Sequence, residues 1–287
     1  NGLWIPLVWI FLAASRWASS WLDLSVPMAS ADAYSEGSPV DRAVFFSLIV
    51  AGVIVLSKRK IDWNLLMAKN SLLIIYFLYC LMSIAWTDEP FVLFKRWIKD
   101  LGNPIMALVI LTEQRPYDAV GAVLRRLAFL LIPLSVLFIR YYPELGRGYH
   151  ADGSPMYTGV GHQKNDLGGM CLVSGLYFAW EFIQNRKQGL GLETINIWFY
   201  YAFILMIAWL LRMSNSQTSL FCLVVAIFLF LVVHIGFLAK KPSRMLVYGI
   251  LGSLLLYLLD VAFHVKDLVF EMLGRDSSLT NRTELWA

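Results

Sequence analysis

Residues 127–142 read LAFLLIPLSVLFIRYY. The first thirteen residues are uncharged and mostly apolar, and an arginine and two tyrosines follow them. The hydrocarbon core of a bilayer takes about 20 residues of helix, and fewer when flanking side chains reach the headgroups. Tyrosine and tryptophan favour the interface between membrane and water. This stretch therefore predicts a membrane-spanning helix.

Eight further apolar runs lie on either side of it. They cover residues 2–14, 43–57, 71–86, 97–112, 166–183, 195–212, 218–238 and 245–263. Gly102-Asn103-Pro104 interrupts the fourth run along the chain, and broken helices in membranes usually line a cavity or pack on protein. We therefore expect an all-α polytopic membrane protein with about nine transmembrane helices, the fourth of them broken.

Composition excludes several classes of protein. The chain is 59% hydrophobic and 15% charged, whereas soluble domains are about half apolar and a quarter charged. The net charge of +4 is too small and dispersed to indicate nucleic-acid binding. The three cysteines lie in apolar runs without a C-x-x-C pair, so we expect no redox or metal site. There is no Walker A motif, and few charges lie deep within the runs, which argues against pumps and proton-coupled transporters.

The loops between the runs form two alternating sets. The first set is short, basic and poor in acids, and it comprises residues 57–60, 112–126, 184–188 and 239–244. The second set is long and mixes basic residues with acids, and it comprises residues 15–42, 87–100, 140–166, 212–217 and 264–287. The two sets contain equal numbers of lysine and arginine residues, so these numbers alone do not give the orientation. Because the first set is short, basic and poor in acids, we place it in the cytoplasm and the second set outside.

Basic residues on the external side indicate an anionic ligand, because arginine and lysine bind phosphate through charge-assisted hydrogen bonds. Four external clusters qualify: FKRWIKD (94–100), RGYHADGSPMYTGVGHQKNDLGG (147–169), RMSNSQTSL (212–220) and GRDSSLTNRTELWA (274–287). Each also has an ordinary explanation, such as side chains reaching lipid headgroups or a polar turn. In the second cluster, Asn165 or Asp166 is expected to cap the following helix, whose N-terminus favours anions.

Three segments resemble motifs of the O-antigen ligase and polymerase superfamily. They are GVGHQKNDLGG (159–169), SNSQTSL (214–220) and LGRDSSLTNRTELW (273–286), and they occur in the family's order at helix edges. The third is most similar to the exopolysaccharide-polymerase branch. The resemblance implies N-terminal transmembrane helices over 1–142 and an O-antigen ligase-related membrane domain over 143–287. It also implies that this domain is cut within its large periplasmic loop, with the general base beyond residue 287.

The resemblance implies a fold similar to the C-type glycosyltransferases (GT-C-like) and a metal-independent enzyme of the bacterial inner membrane that needs no cofactor. Such a polymerase moves glycan from undecaprenyl pyrophosphate to a growing polysaccharide on the periplasmic face, whereas a ligase attaches it to lipid A–core. Arg282 matches the family's arginine before the closing tryptophan and is the expected catalytic residue. Gln217 stands where many ligases have arginine, which favours the polymerase.

The expected substrate-binding residues come from all four clusters. They are Arg96, His162, Lys164, Asn165, Arg212, Gln217 and Arg275. Two functions of another class stay open on the residues alone, a flippase or exporter of lipid-linked glycan and a membrane scaffold. A flippase would line its interior with cationic side chains, whereas here they lie towards one face.

Overall fold

The computed structural model describes residues 2–22, 38–149, 153–187, 194–234 and 252. These residues are mostly helical. The helices are α1 (Trp4–Ala14), α2 (Ala18–Trp21), α3 (Pro39–Ser57), α4 (Trp63–Lys69), α5 (Ser71–Met82), α6 (Pro90–Leu111), α7 (Pro116–Tyr141), α8 (Pro143–Gly146), α9 (Lys164–Lys187), α10 (Thr194–Ser214) and α11 (Gln217–His234). A 3-10 helix, Ser83–Trp86, follows α5, and the strands β1 (Arg147–Tyr149) and β2 (Pro155–Tyr157) form an antiparallel hairpin. This hairpin is the one departure from the expected all-α class within the described residues.

Two of the described helices, α3 and α7, are long and apolar enough to cross a membrane. The pair Trp63–Lys69 and Ser71–Trp86 is a third candidate, with a bend of 81° between its parts. Three shorter apolar stretches are Trp4–Ala14, Trp198–Ser214 and Gln217–Phe230, the last two being the parts of α10 and α11 whose side chains are described. The described residues therefore contain two or three candidate spans. They do not support the prediction of about nine, and the run 245–263 lies outside them.

Charge and length explain the difference. The first half of α6 carries Lys95, Arg96, Lys99 and Asp100, which is more charge than an apolar span holds. α1 has 11 residues, which at the rise of an α-helix span about 16 Å, roughly half a bilayer core. Counting apolar runs therefore overestimates the number of helices that can cross a membrane independently.

The break predicted in the fourth run is wrong, because α6 continues without interruption through Pro104. The Trp9 indole N–H donates to Oδ1 of Asn103 at 3.0 Å. The Trp9 ring also packs on the backbone at Gly102, where a Cβ would lie 2.5 Å from Cζ2. The Gly-Asn-Pro tripeptide therefore serves a contact with α1, and Pro104 removes only one backbone N–H from the helix.

The described core has two parts. The larger joins α1, α7, α9 and α10, with Ile132, Leu167 and Leu210 fully buried. The smaller surrounds Trp9, with Phe45 of α3 in edge-to-face contact at 4.8 Å between ring centroids. Since α7 packs against α9 and α10, helices from either side of residue 142 share one core.

An ion pair with one buried partner connects α7 and α9. Arg125, whose side chain is exposed, pairs with the buried Glu181, and its Nε donates to the Tyr177 hydroxyl at 3.2 Å. The same hydroxyl donates to the Glu181 carboxylate at 3.0 Å. These bonds offset part of the cost of burying the Glu181 charge.

Two loops of the first set meet at the C-terminal end of α3. Arg59 donates to the Val109 carbonyl at 2.7 Å and pairs with Glu113, which follows α6. At the N-terminal end of α3, Asp41 binds Ser19, and both residues belong to the single loop 15–42 of the second set.

Candidate functional site

Trp17 lies at the centre of a cluster of polar side chains where segments of the second loop set meet. The ammonium Nζ of Lys99, on α6, lies 3.6 Å from the centroid of the Trp17 ring. Phe45, on α3, packs edge-on against the same ring at 5.7 Å. The His162 ring, from the loop before α9, lies 5.8 Å away at 36°. A cation against an indole face is attracted by the electrons of the ring.

Asp41 fixes the turn that carries Trp17. Its carboxylate accepts hydrogen bonds from the Ser19 backbone N–H at 2.8 Å and from the Ser19 hydroxyl at 2.7 Å. Asp41 lies in the first turn of α3, where a negative charge is favourable. The carboxylate therefore connects the start of α3 to the turn between α1 and α2.

Arg16 joins the cluster to the end of α7. Its guanidinium donates to the Leu145 carbonyl and lies 6.0 Å from the ring centroid of Phe138. We define the Trp17 cluster as Arg16, Trp17, Asp41, Lys99 and His162. It combines two basic side chains, Arg16 and Lys99, one imidazole and a carboxylate that accepts from N–H and O–H donors.

Asp166 organises the loop that carries His162. Its carboxylate accepts from the backbone N–H groups of His162 at 3.2 Å and Gln163 at 3.1 Å. The prediction that Asn165 or Asp166 is the N-cap residue is wrong, because α9 begins at Lys164 and both residues lie in its first turn. Asp166 instead reaches back from the first turn to the N–H groups before the helix. Its carboxylate supplies a negative charge at the helix start, which disfavours a further anion at the N-terminus of α9.

The imidazole of His162 has an altered proton affinity. Burial lowers the pKa of His162 below its ordinary value, and Arg16 acts in the same direction, whereas Asp166 and Asp41 oppose them. Burial is the largest of these effects. His162 is nevertheless among the exposed residues, so its imidazole can exchange a proton with water.

The second and third predicted clusters meet where α9 touches the turn before α11. A Cβ on Gly168 would lie 2.7 Å from both Ser216 Cβ and Ser219 Oγ. The two serine hydroxyls are buried and 3.0 Å apart. Asn215 between the helices has φ +48°, a left-handed conformation that asparagine tolerates. Glycine at position 168 is what lets GVGHQKNDLGG approach SNSQTSL.

Replacing Gly168 with alanine is expected to destabilise the protein by about 1–3 kcal/mol, because the new methyl group overpacks this junction. Gly169 is the matched control, since a Cβ there meets nothing within 4 Å. Alanine at either position gains about 1 kcal/mol of helix propensity, so the difference between the variants reports the contact. Thermal unfolding in detergent measures it, and equal midpoints would contradict the junction.

The other predicted site residues lie around these two centres. Arg212 and Gln217 are exposed on either side of the Asn215 turn, and Asn165 is exposed beside half-buried Lys164. Arg96 is exposed on α6. Arg275 and Arg282 lie outside the described residues.

Sequence reasoning did not identify Arg16, Trp17 or Asp41 as site residues. The available signal was the Arg-Trp pair directly after the first apolar run. That pair is also typical of an ordinary membrane-interface anchor, so only its convergence with Lys99 and His162 distinguishes it.

No protein-family model matches this chain, and searches of curated proteins and of solved structures found no match.

Proposed function

We propose that this protein is a membrane glycosyltransferase that moves glycan from undecaprenyl pyrophosphate to a growing polysaccharide on the periplasmic face. The observation that carries the proposal is the Trp17 cluster. The Lys99 ammonium and the His162 ring of the GVGHQKNDLGG segment both contact the Trp17 indole, and the charge of Arg16, next to Trp17 in the chain, acts on His162. Cations held by packed helices suit a diphosphate at the level of the lipid headgroups.

In the proposed reaction, the bond between the anomeric carbon and the pyrophosphate oxygen breaks as the acceptor hydroxyl forms its bond to that carbon. Negative charge builds on the departing pyrophosphate. Arg16 and Lys99 would stabilise this charge more strongly in the transition state than in the ground state, which is what accelerates a reaction. A base takes the proton of the acceptor hydroxyl, and Arg282 contributes a further contact to the pyrophosphate.

The position of the cluster supports a lipid-linked substrate. Lys99 and Asp41 lie on the halves of α6 and α3 that face away from the Arg59–Glu113 pair. Cations at one end of a bundle meet headgroup phosphates without entering the hydrocarbon core. This arrangement favours chemistry at one face of the membrane over passage through it.

Replacing Arg282 with alanine in the full-length gene, in its own host, tests the assignment. We expect long polymer to disappear while single lipid-linked units accumulate on the external leaflet, because the departing pyrophosphate loses a charged contact. Surface glycan and lipid-linked intermediates are compared side by side, after the variant is shown to reach the membrane. Deletion of the gene provides the reference for complete loss.

Other patterns would identify a different function. Retained free polymer without attachment to lipid A–core would indicate a ligase. Units that accumulate on the cytoplasmic leaflet would indicate an exporter. An unchanged glycan pattern in both the deletion strain and the variant would contradict a glycosyltransferase and favour a scaffold.

A further inference from the structure

We propose that binding of a diphosphate at the Trp17 cluster is coupled to the uptake of one proton by His162. The identity of the ligand, a diphosphate that joins a lipid to a glycan, rests on the proposed function. The coupling itself depends only on the diphosphate charge and the residues around His162.

Geometry places His162 where a bound anion would meet the cations. The imidazole lies against the Trp17 ring at 5.8 Å, and the Lys99 ammonium lies over the same ring at 3.6 Å. The loop that carries His162 is held by the Asp166 carboxylate through two backbone N–H groups. The Trp17 indole thus contacts both the ammonium and the imidazole, and the charge of Arg16 acts on His162. We expect an anion bound at this cluster to act on the imidazole as well.

Three charged side chains from different elements act on His162: Arg16 from the turn after α1, Asp41 from α3 and Asp166 from α9. The Lys99 ammonium of α6 lies against the Trp17 ring that His162 contacts, with Asp100 as its neighbour. Protonation of His162 adds one positive charge to this set, which favours the binding of a diphosphate.

The sign of the pH dependence follows from linkage. In the free protein, burial keeps the pKa of His162 below its ordinary value. A bound anion favours the imidazolium and raises that pKa. The affinity is therefore highest below the pKa of the free protein, falls as pH rises between the free and bound pKa values, and is constant above both.

The experiment is calorimetric titration of the purified full chain with a short-chain prenyl diphosphate ester of a sugar. This probe has no group that titrates between about pH 5 and 8, where histidine changes charge. Titrations in two buffers of different ionisation enthalpy count the protons taken up. For a pKa shift of about one unit we expect a roughly 10-fold loss of affinity across the window, and a proton uptake that peaks at about half a proton midway between the free and bound pKa values.

His162→Gln is expected to bind the probe with no proton uptake and an affinity that is flat with pH. His150→Gln, a change at another histidine of the same loop sequence, is the matched control and should keep the coupling. Selective labelling of the four histidines gives a second readout by NMR. The signal missing in His162→Gln should titrate at higher pH after the probe is added.

Each contrary result is distinct. Probe binding without proton uptake, or uptake that persists in His162→Gln, would overturn the coupling and leave the proposed function standing. The same uptake on adding an anionic phospholipid instead of the probe would identify a headgroup site and overturn the inference. Coupled binding with an unchanged glycan pattern in the deletion strain would overturn the proposed function alone, and absence of probe binding at every pH would overturn both.

Discussion

Replacing Gly146 with alanine is expected to lower the stability of the folded protein by about 3 kcal/mol, at the upper end of the usual cost of overpacking. The new Cβ would lie 2.5 Å from the Ile139 backbone N and 2.6 Å from the Phe138 carbonyl oxygen. Both atoms belong to the backbone of α7, which cannot rotate aside as the tip of a side chain can. Relief therefore requires a shift of the chain at the end of α7.

Such a shift would also reach the site. The Gly146 carbonyl accepts from the backbone N–H groups of Thr158 at 3.0 Å and Gly159 at 3.1 Å. These residues begin the segment that leads to His162. We therefore expect Gly146→Ala to weaken activity as well as stability.

Gly148→Ala is the matched control for that prediction. A Cβ there would meet the methyl group of Met156 at 3.2 Å and Thr158 Cγ2 at 3.7 Å, and a flexible side-chain end can move at little cost. Thermal unfolding in detergent should place Gly148→Ala close to the wild type and Gly146→Ala far below it. Similar midpoints for the two variants would show that α7 and the following turn are not packed as described.

Replacing Lys99 with glutamine is expected to reduce glycan transfer by about 10- to 100-fold. A charged hydrogen bond to phosphate is worth about 1.5–3 kcal/mol, and glutamine removes the charge and shortens the side chain by one atom. The loss should fall on kcat as well as KM, because the charge on pyrophosphate increases in the transition state. Transfer is measured with membranes that contain the protein and lipid-linked substrate.

Lys95→Gln is the control, one turn earlier on the same helix. The Lys95 ammonium lies 4.7 Å from the ring of Phe91 on its own helix, so the variant removes an equal charge from the same element. We expect it to transfer glycan close to the wild-type rate. Equal losses in the two variants would indicate a general effect of charge on α6 rather than a site at Trp17.

The sequence was most informative where the physics is local. The start of α9 beside Asp166 was visible, because the side chain of Asp166 binds N–H groups within four positions of it. Pro39, Pro90 and Pro116 carry a similar local signal for a helix start, but they were assigned to loops. The polar turn in SNSQTSL was also predicted, as a connection between two apolar runs. The packing of Gly168 against this turn could not be predicted from the sequence, because the contact joins residues about 50 positions apart along the chain.

Long-range packing also explains the errors. Gly102-Asn103-Pro104 is a helix breaker by local rules, and the partner that makes it helical is Trp9, far away in sequence. Trp17 has no local mark that distinguishes a site residue from an interface anchor. Its candidate role depends on contacts with Lys99 and His162, which lie in other segments of the chain.

Photochemical labelling tests the central claim most directly, namely that a lipid-linked diphosphate binds at the Trp17 cluster. The purified protein in lipid nanodiscs is irradiated with a photoreactive polyprenyl diphosphate sugar, and labelled peptides are identified by mass spectrometry. The account predicts that the label attaches within residues 15–22, 90–100 or 158–166 and is displaced by unlabelled substrate. Displaceable label confined to the first-set loop 112–126, at the other end of the helices, would contradict it.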